Sequence, residues 1–290
     1  MTPTGKLTTV EYWDAVYASG SADAQSASLA ASPNAGRSRK ALSGLRKHLR
    51  PHVRPYDQAV LWERLYPVYL SNAAGLKAVE IGSAPGTFLV ELAQRFGVEP
   101  YGIEYTPHGA ALNRRLFEQN GISADNVLHD DFFSEQLHTR HRERFDVVIS
   151  RGFIEHFDDP RSVIDRHVNL LKPGGTLIVH IPNFRGINYA IQRLLDRQIL
   201  DVHNLTIMDL HAFRALFDAA QLEERFCGYH GAFTFNVFTV GASPRRFPFL
   251  RACYLAQIPI NALLHLSLRG RTGSSRWVSP FLMYVGVKRA

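Results

Sequence analysis

The chain has 290 residues, 46% of them hydrophobic, and a formal net charge of +7 at pH 7. It is therefore long and apolar enough to bury the core of one large α/β domain with appendages. A membrane span and secretion are both disfavoured, because there is no run of about 18 uncharged apolar residues and no N-terminal signal-peptide core. The two cysteines, Cys227 and Cys253, fit buried or inert thiols of a reducing compartment. We therefore expect a cytoplasmic protein.

Residues 1–73 are predicted to form an N-terminal helical cap with a flexible, basic linker. Thr8 or Thr9 is suited to cap a first helix that contains Tyr12 and Trp13. These two aromatic residues fit either simple packing or a lid that folds over a bound cofactor.

The linker itself is predicted from composition. Residues 20–36 are rich in small and polar side chains, and the stretch 37–54 is basic and free of acids. Apolar residues at helical spacing then predict a second helix over residues 57–72.

Residues 74–290 are predicted to form one α/β domain, and a glycine turn near its start is its central feature. The short apolar strand Ala78–Ile81 carries Glu80 near its carboxyl end, and the helix-forming run Thr87–Phe96 begins a few residues later. Between them, small residues stand at two-residue spacing: Gly82, Ala84 and Gly86. Such a strand, turn and helix let a ligand approach the backbone closely, beside the free amides of the helix N-terminus.

Two further strand ends are expected beside this turn. A second strand ends in Glu104, which follows Gly86 by 18 residues, about where nucleotide-binding folds place a carboxylate for ribose hydroxyls. A short third strand near residues 127–128 delivers Asp130 and Asp131 to the same crevice. We infer a nucleoside-containing cofactor.

Two cofactor classes fit these strand ends, the nicotinamide dinucleotides and S-adenosylmethionine. The dinucleotide fingerprint requires three glycines as G-x-G-x-x-G, whereas here small residues alternate and Glu80 precedes the first glycine by two residues. An acid at that point repels a pyrophosphate but suits a ligand that carries an ammonium and a sulfonium group. The segment Glu80-Ile-Gly-Ser-Ala-Pro-Gly86 resembles the first motif of the class I S-adenosylmethionine-dependent methyltransferases, with alanine replacing the middle glycine.

The sequence around the fourth and fifth strands extends this resemblance. The clean strand Phe145–Ser150 is followed by residues 151–156, Arg-Gly-Phe-Ile-Glu-His, which resemble the fourth-strand motif of small-molecule methyltransferases. The run over residues 171–183, with its Lys-Pro-Gly-Gly and Pro-Asn, is similar to another motif of that family. The resemblance covers residues 77–183 with five motifs in order.

The resemblance implies a Rossmann-like fold, with a seven-stranded, mostly parallel sheet and helices on both faces. A helix over residues 160–171 is expected to end at the glycine turn 172–175, and the fifth strand, Thr176–Ile181, to follow it. The last strand, Phe281–Val287, is expected to insert antiparallel between strands five and six. Residues 232–278 are then an insertion that forms a substrate cover or an interfacial segment.

The resemblance also assigns roles to the strand-end residues. Glu80 and the glycine turn are expected to hold the amino-acid end of the cofactor, and Glu104 the ribose. Asp131 is expected to contact the adenine amino group, with Asp130 as the alternative. The expected cofactor-binding residues are Glu80, Gly82, Ser83, Ala84, Gly86, Glu104, Tyr105, Asp130, Asp131, Phe132, Ser150, Arg151 and Gly152.

Methyl transfer to a hydroxyl also requires loss of a proton, and an imidazole is the natural general base. His156 is the first candidate, and its alternative role is a structural histidine that pins the loop after the fourth strand. His203 is the second candidate. The expected substrate-binding residues are Asn183, Arg185, His203, Tyr12 and Trp13. No His, Cys, Asp and Glu residues stand at metal-ligand spacing in the sequence, so we expect a metal-independent enzyme.

The predicted acceptor is a hydroxyl of a small molecule or of a sugar, in a natural product or a surface glycan. No acid follows Glu224, so the basic and apolar insertion is a candidate contact for a membrane or a lipid-linked substrate. The absence of a nucleic-acid-binding motif argues against nucleic acid, and the sequence indicates no oligomeric state. Two alternatives stand beside methyl transfer: an NAD-dependent oxidoreductase, and a non-catalytic cofactor-binding module that acts through its basic arms.

Overall fold

The computed structural model describes residues 5–18, 55–238, 247–272 and 274–290. The predicted linker and basic stretch lie outside these ranges. The first helix, α1 (Val10–Ala18), begins after Thr9, whose Oγ1 accepts a hydrogen bond from the amide of Tyr12 at 3.3 Å. Thr9 is therefore the residue that caps this helix.

The predicted second helix is present but irregular. Helices α2 (Tyr56–Val60) and α3 (Tyr66–Leu70) are joined by a π-helical turn over Leu61–Leu65. Trp62 and Tyr66 are buried against Phe88. These helices therefore belong to the layer that covers one face of the sheet.

Seven strands form one sheet in the described part of the chain. They are β1 (Lys77–Ile81), β2 (Glu99–Glu104), β3 (Val127–His129), β4 (Phe145–Arg151), β5 (Leu171–Pro182), β6 (Leu222–His230) and β7 (Phe281–Lys288). Their order is β3-β2-β1-β4-β5-β7-β6, and β7 pairs antiparallel with β5 and β6 while the pairs from β3 to β5 are parallel. The predicted sheet and the position of its last strand are confirmed.

The remaining described helices connect these strands. They are α4 (Thr87–Phe96), α5 (Pro107–Gln119), α6 (Glu135–His141), α7 (Pro160–Leu170), α8 (Gly186–Leu195), α9 (Arg197–Asp201), α10 (Leu210–Arg214) and α11 (Phe247–Leu268). Helices cover both faces of the sheet. Side chains alternate along each strand, so neighbouring strand residues pack against opposite layers. Thus Val147 and Ile149 of β4 pack in the cluster that contains Trp62, and Val148 packs in the cluster that contains Val163 of α7.

The junction between α7 and β5 differs from the prediction. The helix ends at Leu170, and Leu171 is already extended and paired with Phe145 of β4. The register then shifts so that Val147 pairs with Thr176, which leaves residues 172–175 as an irregularity inside β5. The glycines therefore do not cap the helix; they let β5 loop out and resume its pairing.

The N-terminal segment, residues 5–18, lies over the loop that follows β4. Lys6 forms an isolated antiparallel bridge with Phe157, and the amide of Leu7 donates to the carbonyl of His156 at 2.9 Å. These bonds fix α1 above the carboxyl ends of the central strands.

Within the predicted insertion, α11 is held by two polar side chains. Gln257 accepts a hydrogen bond from the amide of Phe235 at 2.7 Å and donates to Asn261 at 2.8 Å. Among the described residues, no helix has both the length and the apolar character needed to cross a membrane.

Candidate active site

A cavity lies at the carboxyl ends of β1, β2 and β4, where parallel α/β sheets bind their ligands. Ile81, the last residue of β1, pairs with Ile103 of β2 and Ser150 of β4, so the segments after these three strands meet in one crevice. The predicted cofactor-binding residues that line the cavity are Glu80, Gly82, Ser83, Ala84, Glu104, Tyr105, Asp130, Asp131, Phe132, Arg151 and Gly152.

The glycine turn has the close backbone packing expected of it. Gly86 precedes α4 with a φ of 95°, and a Cβ atom there would lie 2.2 Å from Oδ1 of Asn113. Asn113 in turn donates to the hydroxyl of Ser83 at 2.6 Å. Gly86 does not itself line the cavity, so its contribution is to let the turn close against α5.

Glu80 and Arg151 form a buried ion pair at the base of this turn. Nε of Arg151 lies 3.0 Å from Oε1 of Glu80, and the guanidinium stacks 3.9 Å from the centre of the Phe88 ring. Burial raises the pKa of Glu80 to about 7, against the opposing effect of the arginine. The sequence predicted both residues as cofactor-binding, but it did not reveal that they form an ion pair with each other.

Glu104 joins the end of β2 to the glycine turn. Its Oε1 accepts hydrogen bonds from the amide and hydroxyl of Thr106 at 2.9 and 2.8 Å, and its Oε2 accepts from the amide of Ala84 at 3.3 Å. Burial raises the pKa of Glu104, and these hydrogen bonds oppose the change. The carboxylate is thus held in one orientation on the cavity wall.

Asp131, the second of the two acids after β3, makes side-chain contacts with both the backbone and the N-terminal segment. Its Oδ1 accepts from the amide of Phe133 at 3.0 Å, and its Oδ2 lies 3.2 Å from Nζ of Lys6. The lysine also lies over the ring of Tyr105, at 5.3 Å from its centre. The N-terminal segment therefore reaches the predicted adenine side of the cavity.

Two predicted residues near the end of β4, Ser150 and Gly152, differ in their access to the cavity. Gly152 lines it with a φ of 66° and donates its amide to the carbonyl of His180 at 2.8 Å. Ser150 is buried and does not line the cavity, and its hydroxyl has no hydrogen-bond partner.

His156 and His203, the two predicted base candidates, lie side by side in the cavity with ring centres 4.5 Å apart. Nδ1 of His156 is 2.8 Å from the carbonyl oxygen of Val202, and the edge-on ring of Trp13 is 5.3 Å from its own ring. Burial lowers the pKa of His156 to about 4 and lowers the pKa of His203 well below its usual value. Both imidazoles are therefore neutral at pH 7.

Glu155 completes this end of the cavity. It is fully buried, and neither of its carboxylate oxygens has a hydrogen-bond partner. Burial raises the pKa of Glu155 to about 8. One carboxylate oxygen and one ring nitrogen from each histidine come within 4.8 Å of one another. Sequence spacing did not reveal this cluster, because three helices and a strand separate His203 from the other two residues.

The other predicted substrate residues fall into two groups. Trp13 lines the cavity, whereas Tyr12, Asn183 and Arg185 do not. The side-chain amide of Asn183 donates to the carbonyl of Ser279 at 2.8 Å, so it anchors the segment before β7.

Sequence reasoning missed several cavity residues from other parts of the chain. They include Lys6, Thr8, Tyr17, Glu155, His180, Phe184, Ile199, Asn236, Val237 and Phe281. Of these, Glu155 had a local signal, its place beside His156 in the motif after β4, while the others are brought in by tertiary packing.

Comparison with known proteins agrees with this geometry. The family model described as "Methyltransferase domain" matches residues 50–226, more than half of the chain. The chain belongs to this methyltransferase family. The cofactor of such enzymes is S-adenosylmethionine, and the site fits it, with a tightly closed glycine turn beside one buried acid and a second acid at the end of β2.

Curated relatives match this methyltransferase over less than half of its length. A ubiquinone biosynthesis O-methyltransferase of Actinobacillus pleuropneumoniae is 35% identical over 105 residues, which is 36% of this chain and 44% of the relative. The enzyme of the same name from Cereibacter sphaeroides is 30% identical over 119 residues, 40% of this chain and 45% of the relative. The chain thus spans about half the length of the curated relatives it matches.

Solved structures share the fold of this methyltransferase at low sequence identity. The [4+2]-cyclase SpnF has a TM-score of 0.54 and 15% identity, with 98% of each chain covered. A putative sarcosine dimethylglycine methyltransferase from Galdieria sulphuraria has a TM-score of 0.52 and 17% identity, covering 88% of this chain and 92% of its own. These similarities concern the fold alone.

Proposed function

We propose that this protein transfers the methyl group of S-adenosylmethionine to a hydroxyl group of a small acceptor molecule. The observation that carries the proposal is the continuity of the cavity. The glycine turn and the acids Glu80 and Glu104 line the same cavity as His156 and His203. An acceptor at the histidine end then faces the cofactor across the same space, as an in-line displacement requires.

The lining of the acceptor end supports an aromatic or otherwise apolar hydroxyl compound rather than a sugar. Trp13, Phe184 and Phe281 contribute rings beside the polar His156 and His203, and this lining suits an apolar molecule with one hydroxyl better than a sugar with several. The name of the curated relatives, ubiquinone biosynthesis O-methyltransferase, also supports an apolar acceptor that is methylated on oxygen.

In this proposal, α1 excludes water from the reaction. Trp13 donates its indole Nε1–H to Thr8 Oγ1 at 3.0 Å and packs on His156, so the N-terminal segment closes the acceptor end. His156 remains the first candidate for the general base, the group that receives the proton of the acceptor hydroxyl. A pKa of about 4 makes it a weak base, so the hydroxyl needs additional activation.

We also propose that α11 brings the enzyme to an anionic membrane surface, from which an apolar acceptor is taken. Leu255, Ile258 and Leu266 are exposed at helical spacing, and Trp277 is exposed nearby in the chain. No acid follows Glu224, whereas the exposed Arg251, Arg269, Arg271 and Arg276 do. An apolar helix face with basic flanks fits the headgroup region of anionic lipid.

Two experiments test these proposals. Calorimetric titration with S-adenosylhomocysteine and with NAD should show micromolar binding of the first alone, and turnover with simple phenols should follow. Binding of NAD instead would overturn the methyltransferase proposal, and cofactor binding without turnover on any hydroxyl compound would favour a non-catalytic module. Sedimentation with phosphatidylglycerol vesicles, compared with phosphatidylcholine vesicles, tests the membrane contact, and Leu255→Glu should abolish it.

A further inference from the structure

Three side chains with metal-binding chemistry converge at the acceptor end of the cavity. Glu155 and His156 come from the loop after β4, and His203 comes from the segment after α9. All three line the cavity, and one potential ligand atom from each lies within 4.8 Å of the other two.

Both histidines are fixed in the tautomer that binds a metal through Nε2. Nδ1 of His156 is 2.8 Å from the carbonyl oxygen of Val202, and Nδ1 of His203 is 2.6 Å from the carbonyl oxygen of Ile199. A carbonyl oxygen only accepts, so each Nδ1 carries the proton and each Nε2 keeps its lone pair. Histidine ligands in metal sites are commonly oriented in this way by a backbone carbonyl.

Glu155 lacks the partners that a buried carboxylate needs. Its two oxygens have no hydrogen-bond partner, although the side chain is completely buried. A buried carboxyl group in that state is costly unless it is protonated or meets a cation. In this tautomer neither Nε2 carries a proton to give to Glu155, so a cation bound among the three side chains would satisfy all of them at once.

We propose that Glu155, His156 and His203 bind one divalent transition-metal ion of the zinc type. Zinc bonds to nitrogen and oxygen are about 2.0–2.2 Å long, which puts tetrahedral ligand atoms about 3.3 Å apart, so the three ligand atoms would need to draw together by up to about 1.5 Å from a separation of 4.8 Å. Three protein ligands would leave a fourth position for an acceptor oxygen, since all three residues line the cavity. This site departs from the metal-independent enzyme that the sequence predicted.

The metal deepens the proposed function, on which its catalytic role rests. A hydroxyl oxygen held in the fourth position would lose its proton more readily, because a bound divalent cation stabilises the negative oxygen. The proton would leave to solvent when the acceptor binds, before the site closes; a new C–O bond would then form as the S–CH₃ bond breaks, with S-adenosylhomocysteine as the product. As a metal ligand His156 cannot also receive the proton, so in this inference the metal replaces the general-base role considered for it above.

The test measures metal binding with neither methyl donor nor acceptor present. The full-length protein is stripped with a chelator and titrated with Co²⁺, whose ligand-field absorption reports coordination by nitrogen and oxygen, and then with Zn²⁺ in competition. We expect one metal ion per chain. His203→Ala and Glu155→Gln should each weaken Co²⁺ binding by about 100-fold or more, whereas the exposed His211→Ala should leave it unchanged.

The outcomes separate this inference from the proposed function. Absence of stoichiometric Co²⁺ binding by the wild-type protein, or equal affinity in all three variants, would overturn the metal site whether or not S-adenosylhomocysteine binds. Metal binding at these residues in a protein that binds no S-adenosylhomocysteine would sustain the site and overturn the methyltransferase proposal. Because the wild-type titration decides the first question, a variant that fails to fold does not remove the test.

Discussion

Nζ of Lys6 lies 3.2 Å from Oδ2 of Asp131, and this contact joins the N-terminal segment to the acid expected to bind adenine. The two side chains are 31% and 48% exposed, so the ion pair contributes at most about 1 kcal/mol. Lys6→Ala should therefore change the affinity for S-adenosylhomocysteine by less than about fivefold in a calorimetric titration. A loss of 100-fold would mean that Lys6 binds the cofactor directly.

Trp13 should matter more for the acceptor than for the cofactor, since it packs on His156 at the acceptor end. Trp13→Ala is expected to raise the KM for a phenolic acceptor about tenfold or more, with cofactor affinity nearly unchanged. Tyr12→Phe, on the same helix but outside the cavity, is the matched control. Equal losses of acceptor and cofactor binding would show that α1 holds both ligands.

Glu104 is expected to bind the ribose hydroxyls. Loss of charge-assisted hydrogen bonds costs about 1.5–3 kcal/mol, so Glu104→Ala should weaken S-adenosylhomocysteine binding by roughly 10- to 150-fold. The exposed Glu118→Ala serves as the control for a lost carboxylate. Unchanged affinity in a folded Glu104→Ala variant would remove this residue from the cofactor site.

Cofactor binding should release a proton from Glu80. Burial raises the pKa of the free carboxyl to about 7, and the ammonium group of the cofactor should lower it, so the proton bound at pH 6.5 is lost on binding. Calorimetry in two buffers of different ionisation enthalpy measures this release. Glu80→Gln should abolish it, whereas proton uptake by the wild-type protein would contradict the assignment.

His167 should make the protein sensitive to acid. The buried ring has a pKa lowered to about 4, whereas the unfolded chain protonates near pH 6.5. Its contribution to stability is therefore complete above pH 6.5 and is lost as the pH falls towards 4, by up to about 3 kcal/mol. His167→Phe should show a smaller fall in Tm between pH 7.5 and 5 than the wild type, while the exposed His108→Ala should match the wild type.

Much of the fold was predictable because its signals are local. The helices Thr87–Phe96 and Pro107–Gln119 begin after a glycine turn and a threonine cap, which mark such starts in any sequence. The irregularity in β5 was missed. Glycines usually end a helix, but here the pairing of Leu171 with Phe145, a contact between segments distant in sequence, begins the strand before the glycines.

The sequence predicted individual residues on both sides of the candidate site, including His156, His203 and Trp13, but only on the strand-end side could it predict which residues meet. Glu80 and Glu104 stand at strand ends, where topology alone brings them together. The acceptor side depends on contacts between distant segments, such as Trp13 with His156 and His156 with His203. The burial that leaves Glu155 without partners also has no sequence signal, because it results from packing of the whole domain.

The antiparallel strand β7 has a consequence for the order in which the domain can be completed. It pairs along its length with both β5 and β6, yet residues 231–280 separate it from β6. During synthesis, β5 and β6 are made well before the strand that joins them, and each then presents unpaired backbone groups at an open edge. A nascent chain halted before Phe281 should therefore be prone to edge-to-edge aggregation and proteolysis, although its glycine turn and strand-end acids are already complete.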